Sequence, residues 1–270
     1  MEMIVLNKKL ILIGMLVIVI FSLSVINMNE EKILNVNAKQ LSNKKIGWGI
    51  KKNDNHEQPD VGDINRKILE ENNGICLGNK DKKYIYLTFD EGYEAGYTSR
   101  ILEVLKNNNV KAAFFLTAHY INTQEDLVKQ MIDEGHTIGN HTVNHKSMPD
   151  LTDEKIRTEV MDLHQTIHQK FGYEMKYIRP PMGEFSERTL QITNSFGYQN
   201  VMWSFAYQDW DEKNQPDETK SKERILNNLH SGEIMLLHGN SKTNTNILDS
   251  VIKEARNMGY EFRSLEEFEK

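Results

Sequence analysis

A chain of 270 residues with 39% apolar and 27% charged side chains is long enough for one large globular domain or two small ones. Its net charge of −6, with a pI near 5.9 and no Lys/Arg-rich or basic-aromatic patch, argues against nucleic acid as a partner and favours neutral or mixed substrates. A single cysteine, Cys76, excludes an intramolecular disulfide and reads as a small buried apolar residue, so the fold has to stand without covalent staples.

At the N-terminus, Lys8 and Lys9 precede an uncharged apolar run from Leu10 to Ile26, and Glu30 and Glu31 follow it. Such a run crosses most of a hydrocarbon layer about 30 Å thick. The charge asymmetry leaves the N-terminus in the cytoplasm and the remainder outside. The nearest small-x-small cleavage pattern, Val36-Asn37-Ala38, lies far from the run. Residues 1–28 are therefore expected to be a retained transmembrane anchor, with a cleaved signal sequence and a secreted product as the alternative. Residues 29–83, rich in Asn, Lys and Glu, are expected to form a stalk and an irregular lead-in.

From Tyr84 onward, short strand-type runs alternate with stretches of helical spacing. The expected strands are Tyr84–Phe89, Ala112–Thr117, His136–Gly139, Lys176–Arg179, Asn200–Trp203, Glu233–Leu237 and Glu261–Arg263. The expected helices are Thr98–Asn109, Glu125–Glu134, Thr152–Phe171, Ser186–Phe196, Lys220–Asn228 and Thr245–Met258, several opened by a Ser or Thr able to cap. The alternation predicts an α/β domain over 84–270 with a mainly parallel sheet, closed as a barrel or open and doubly wound. Either architecture gathers its chemistry at the carboxyl ends of the strands.

Five of those strand ends carry reactive residues. The first ends in Thr88-Phe89-Asp90-Glu91-Gly92, where glycine lets the chain turn sharply. At a strand break the two acids can converge on one pocket, although the pair alone also suits a solvated acidic turn. His141 and His145 are four apart, a spacing that puts both imidazoles on one face of a single helical turn, where they can grip one metal ion. With a carboxylate from another strand end, the pair leaves open positions for water and substrate, which points to catalysis. His56, His119, His136, His164, His168 and His230 read as satisfied core or surface residues. Arg179 opens Arg179-Pro180-Pro181-Met182-Gly183, and a guanidinium held beside a carboxylate keeps that carboxylate ionised for general-base work. Asp209-Trp210 follows the fifth strand. His238 ends the sixth and is the expected proton carrier to a leaving amine.

In order along the chain, these residues resemble the motifs of the polysaccharide deacetylases, also called carbohydrate esterase family four or the NodB-homology domain. The resemblance spans roughly Ile85 to Leu265 and rests on Thr88 to Gly92, His141 with His145, Arg179 with Pro181 and Gly183, Asp209-Trp210, and Leu236 to His238. Trp48-Gly49, Asn55 to Pro59, Gly92-Tyr93-Glu94, Gly183 to Ser186 and Trp203 to Ala206 resemble a branch of that family, the delta-lactam-biosynthetic de-N-acetylases of spore-forming bacteria. The resemblance implies a distorted (β/α) barrel and hydrolysis of the acetamide of N-acetylated sugars in peptidoglycan. N-acetylmuramic acid, on the route to the muramic delta-lactam of spore cortex, is the implied substrate, with N-acetylglucosamine of the vegetative wall or another polysaccharide as the alternative.

The implied site has one divalent ion, zinc or else cobalt or manganese, held by Glu91, His141 and His145. Asp90 is the base, Arg179 its holder and His238 the acid, while Met182, Trp210 and Leu236 meet the substrate. The implied partners are peptidoglycan glycan strands and, through the N-terminal helix, the membrane; no nucleic acid and no protein partner are expected. Two departures stand out. The family's second motif-one aspartate is Glu91 here, and Ala206 occupies a position that is acidic in the common pattern, which leaves Asp209 as the carboxylate available to tune His238. Two other readings stay open: a metal-dependent glycosidase or phosphohydrolase using Asp90 and Glu91 as its carboxylate pair, and a non-catalytic wall-binding module of the same fold.

Overall fold

The computed structural model describes residues 41–270, so the expected anchor, 1–28, and the first part of the expected stalk and lead-in, 29–40, lie outside the described residues. Among the described residues no helix is long and apolar enough to cross a membrane. Nine strands are seen there: β1 (Ile46–Gly47), β2 (Tyr84–Glu91), β3 (Ala113–Leu116), β4 (Thr137–Asn140), β5 (Tyr177–Ile178), β6 (Glu184–Phe185), β7 (Gln199–Asn200), β8 (Glu233–His238) and β9 (Glu261–Phe262). Eight α-helices accompany them: α1 (Asp63–Glu71), α2 (Thr98–Asn107), α3 (Ala118–Thr123), α4 (Glu125–Asp133), α5 (Asp153–Phe171), α6 (Glu187–Ser195), α7 (Glu218–Asn228) and α8 (Lys242–Asn257).

Seven strands form one parallel sheet in the order β7-β5-β4-β3-β2-β8, with β9 also pairing β2. The two ends of this curled sheet are joined by the segment after β7. Val201 bridges Ile75, Phe205 bridges Met235 on β8, and the Ser204 N–H donates to Ile234 O at 2.9 Å. An irregular segment thus stands where a regular barrel would have a strand. That agrees with the expected distorted barrel, and it leaves of the expected strand Asn200–Trp203 only Asn200 in β7 and an isolated bridge at Val201.

Side-chain parity along β2 sets the layers. Ile85, Leu87 and Phe89 face outward into the large core beneath α2, α5 and α8, whereas Tyr86 faces a smaller inner cluster with Phe115 and Ile234. The helices begin where capping chemistry starts them: the Thr152 side chain accepts the Lys155 N–H, and Ser186 forms a reciprocal capping box with Thr189. Gly172, left-handed at φ 64°, ends α5.

The lead-in is more ordered than its polar composition suggests. The compact unit begins at Ser42, and β1 pairs antiparallel with β6. Trp48 is buried, its Nε1–H donates to Trp203 O at 2.8 Å, and α1 contributes the buried Leu69. The scattered apolar residues of this stretch, Trp48, Val61, Leu69 and Leu77 among them, pack with Phe185, Leu190 and Met202 in a cluster of their own. Cys76 is buried and unpaired as expected, with burial pushing its thiol up to about 12.

Candidate active site

Arg179 stands at the centre of the site. It is fully buried, and its guanidinium donates from Nη1 to Asp90 Oδ1 at 2.7 Å, from Nη2 to Thr88 Oγ1 at 2.9 Å and from Nε to Val201 O at 3.1 Å. It also lies 4.2 Å from the centre of the Phe115 ring. With its donors aimed at three acceptors, the fork has one geometry, and so does Asp90. Burial would raise Asp90, but the charges of Arg179, His141 and His238 and the Arg179 hydrogen bond outweigh it and hold the carboxyl below its ordinary 3.8.

His141 and His145 do meet, though not on a helix. A loop brings them together, with Thr142 and His145 in left-handed backbone at φ 67° and 54°. Asn140 Oδ1 accepts the Thr142 N–H at 2.9 Å, and Thr142 Oγ1 accepts the His145 N–H at 3.1 Å. Buried Glu159 on α5 clamps the loop through the Asn144 backbone and side-chain N–H groups, both at 2.7 Å. His141 Nδ1 donates to Arg179 O at 2.9 Å, which turns its Nε2 toward His145 Nε2 at 3.1 Å and Asp90 Oδ2 at 3.4 Å. Burial lowers His141 to about 4 and also lowers His145, so both rings are neutral near pH 7.

The expected place of Glu91 is corrected by the structure. β2 continues as regular strand through residue 91, so Asp90 and Glu91 point to opposite faces and do not converge. The Glu91 carboxylate is buried against Gly239, and among the described residues neither of its oxygens has a well-formed hydrogen bond, the Thr98 hydroxyl giving only a weak one. Burial, then the charges of Glu94 and Asp90, raise it well above 4.5. The two-histidine, one-glutamate set therefore does not assemble. Among the described residues no three His, Cys, Asp or Glu side chains are placed to hold a metal ion together. What converges on the cleft is the histidine pair with Asp90 and, from β8, His238.

His238 is built from the other side. Asp90 and His238 are register partners on the adjacent parallel strands β2 and β8, so both side chains face the same side of the sheet, about one strand spacing apart. Asp209 is buried, and its Oδ1 accepts from His238 Nδ1 at 2.7 Å. Burial pulls His238 down, and the hydrogen bond and charge of Asp209 more than offset it, leaving the imidazole above 6.5. Asp209 thus fills the tuning role that Ala206 cannot. Asn244 on α8 donates to Asp209 Oδ2 and accepts from the Tyr207 hydroxyl, completing a chain Tyr207-Asn244-Asp209-His238.

Asp90, His141, His145 and His238 open onto a cleft of about 840 Å³, with Met182, Trp210 and Leu236 in its walls. Arg179 and Asp209 lie directly behind, fully buried. Met182 follows two prolines, is half exposed and takes a left-handed φ of 57°. His119, expected to be a satisfied core or surface residue, is exposed on the cleft wall. Asn244 and Glu159 belong to no reactive pattern in the sequence, and Glu94 enters there only through Gly92-Tyr93-Glu94, with no role assigned. Glu94 Oε1 accepts the N–H groups of Gly96, Tyr97 and Thr98 at the start of α2, and its Oε2 accepts from the Tyr120 hydroxyl at 3.0 Å. An acidic residue shortly before an apolar-periodic stretch was the available signal for that cap.

The polysaccharide deacetylase family model matches residues 77–201. The peptidoglycan-N-acetylmuramic acid deacetylase PdaA of Bacillus subtilis is 39% identical over 236 residues, covering 86% of this chain and 90% of that one. A peptidoglycan-N-acetylglucosamine deacetylase of Bacillus cereus is 33% identical over 190 residues, covering 69% of this chain and 88% of its own. The solved structure of Bacillus subtilis PdaA, described as a family 4 carbohydrate esterase, superposes with a TM-score of 0.82 over 84% of this chain and 98% of that one. The chain belongs to the polysaccharide deacetylase family and is an enzyme that hydrolyses N-acetyl amides.

Proposed function

We propose that the enzyme removes the acetyl group from N-acetylmuramic acid residues of peptidoglycan. The observation that carries the chemistry is the pairing of Asp90 with His238 across β2 and β8, one held ionised by Arg179 and the other held basic by Asp209. Asp90 takes a proton from the attacking water as its oxygen adds to the acetamide carbonyl. His238 gives a proton to the sugar nitrogen as the carbon–nitrogen bond breaks, releasing acetate and the free amine. The loop at Met182, carried over from the resemblance, faces the developing oxyanion with its backbone N–H. Met182, Trp210 and Leu236 bound the sugar.

Muramic acid is favoured over glucosamine by the breadth of the likeness. The match to the Bacillus subtilis muramic acid deacetylase takes in 86% of this chain, against 69% for the glucosamine enzyme. The freed amine can then close onto the lactyl carboxyl of the same sugar, the route to a delta-lactam. Polysaccharide deacetylases are in general metal-dependent. Zinc is the proposed ion, although the Glu91 geometry lends it no support. The apolar run at residues 10–26 supports a membrane-anchored enzyme with its domain outside the cytoplasm, facing the glycan strands.

The test is acetate release from peptidoglycan with and without its stem peptides, measured with metal-stripped enzyme and after adding zinc, cobalt or manganese. Mass spectrometry of the products then locates the lost acetyl. Loss from muramic acid supports the proposal, loss from glucosamine redirects it to wall modification, and tight glycan binding without turnover in any metal would leave a binding module.

A further inference from the structure

His164 stands on α5 and belongs to no reactive pattern in the sequence, yet hydrogen bonds tie it to the loop that carries His141 and His145. Between them stand Tyr198 and Asn140, both buried. Asn140 ends β4 directly before His141, and its side chain has a single possible orientation. Its Oδ1 accepts the Thr142 N–H, so its amide nitrogen faces the other way and donates to Val160 O at 2.8 Å and to the Tyr198 hydroxyl at 3.0 Å. Val160 O can only accept, which requires the same orientation. The Tyr198 hydroxyl hydrogen is then free for His164 Nδ1, 2.7 Å away. Burial pushes that hydroxyl above its ordinary 10, so it keeps the proton it donates.

The outer end is fixed as well. His164 Nε2 lies 3.0 Å from Glu174 Oε2, and His168, one turn further along α5, donates from Nδ1 to Glu174 Oε1 at 2.6 Å. A carboxylate accepts, so His164 carries its hydrogen on Nε2 and is bare at Nδ1. Both ends therefore require the same tautomer. Each group donates to the next one outward: Asn140 to Tyr198, Tyr198 to His164, and His164 to Glu174, whose side chain is 61% exposed. Helix α5 thus grips the loop at two points, Glu159 through Asn144 and His164 through Tyr198 and Asn140.

We infer that Tyr198 and His164 are positioning residues for the deacetylation. With His164 Nδ1 as acceptor they fix the Asn140 amide, and through its bond to Thr142 they fix the loop that sets His141 3.4 Å from Asp90 and against His145. The inference needs only the amide hydrolysis of the family and holds for any N-acetylated glycan that is turned over.

The test measures kcat and KM on an N-acetylated glycan, together with native-state amide hydrogen exchange, for the full chain and its variants. Tyr198→Phe removes one oxygen and keeps the packing of the ring. It should lower kcat about 10- to 100-fold with little change in KM, the cost of losing a group that orients another. Exchange should quicken at Thr142 and His145 while the amides of α8 keep the wild-type rate, because only the loop is released. His164→Leu should repeat both effects. His164→Asn should recover most of the activity and the slow exchange, since its Oδ1 can stand where Nδ1 stood and accept from Tyr198. The His164 side chain is 22% exposed, so neither change opens the core. Wild-type kcat in Tyr198→Phe overturns the inference. Exchange that quickens equally in the loop and in α8 also overturns it, since that marks a general loss of stability, as does His164→Asn no better than His164→Leu. Absence of turnover by the wild type on every glycan strikes the proposed function instead, and the exchange rates still decide the positioning.

Discussion

Asp209 holds His238 twice: its Oδ1 accepts from the imidazole Nδ1 at 2.7 Å, and its Oδ2 accepts the backbone N–H of the same residue at 2.9 Å. The ring can neither rotate nor change tautomer without breaking one of these bonds. That leaves Nε2 as the only ring nitrogen free to face substrate.

Asp209→Asn should therefore lower kcat by roughly 10²- to 10⁴-fold, the range for loss of general acid–base function. The acid form of His238 is present below its pKa, and Asp209 raises that pKa. Without Asp209, the alkaline limb of kcat/KM should move to lower pH, with Asp90, Arg179 and His145 the remaining charged or titratable groups around the ring. Asn244→Ala should cost less, about 10- to 100-fold, as loss of an orienting partner does. A pH–rate profile unmoved in Asp209→Asn would remove this account of His238.

Arg179→Lys should fail to replace the arginine. A lysine cannot serve Asp90, Thr88 and Val201 together, and its compact charge is more strongly hydrated. Arg179→Ala leaves Asp90 buried without its partner, an arrangement that costs about 3–5 kcal/mol. Thermal unfolding should show both variants destabilised, alanine more so. Wild-type kcat in Arg179→Lys would show that the fork geometry is dispensable.

Glu91 and Glu233 should make the fold less stable as pH rises. Burial, the largest cause in each, raises both above 4.5; for Glu91 the charges of Glu94 and Asp90 add to it. In the window between the unfolded pKa and the folded one, the native state binds more protons than the unfolded chain. The stabilising effect is complete below about pH 4.5 and is lost as the pH climbs through the folded values. Glu91→Gln should flatten this slope and raise the melting temperature at pH 8. Its kcat/KM should stay within about threefold of wild type, since the residue lies outside the cleft, whereas a metal ligand in that position would cost orders of magnitude.

Trp48→Ala should destabilise the domain by about 3–5 kcal/mol, as other large-to-small changes of buried aromatics do. The Trp48 backbone N–H, which alanine keeps, donates to Gly183 O at 2.9 Å, but the lost indole donates to Trp203 O, and the Trp203 ring packs against Gly183, so the substitution also loosens the wall beside the loop that carries Met182. KM should rise alongside the fall in melting temperature. A fall in melting temperature with KM unchanged would confine the lead-in to a structural role.

Much of this was legible beforehand. The alternation of apolar runs and helical spacing placed the helices from α2 onward, apart from α3, to within a few residues, because their caps and stripes are local signals. Asp90, Arg179 and His238 are legible because each follows an apolar run directly, and Asp209 as part of Asp209-Trp210 in the stretch after the fifth strand. The place where β2 stops was not legible. Gly92 suggested a break at Asp90, but strand pairing with β3 continues to Glu91 opposite Leu116, and one residue of extra strand reverses the side-chain direction. Asn244 and Glu159 carry no local signature either. Their partners, Asp209 and Asn144, come from other parts of the chain and meet them only once the barrel has closed.

A methyl group at position 239 would overlap the Glu91 carboxylate, which approaches to 1.8 Å of where a Cβ would stand. Glu91 is fully buried, so its head group has no solvent to retreat into. Positions 91 and 239 therefore share one volume. A side chain at 239 has room only if the one at 91 is shortened. Substitutions made singly at these sites will understate what the pair tolerates, and the double variant is the natural unit in which to explore it.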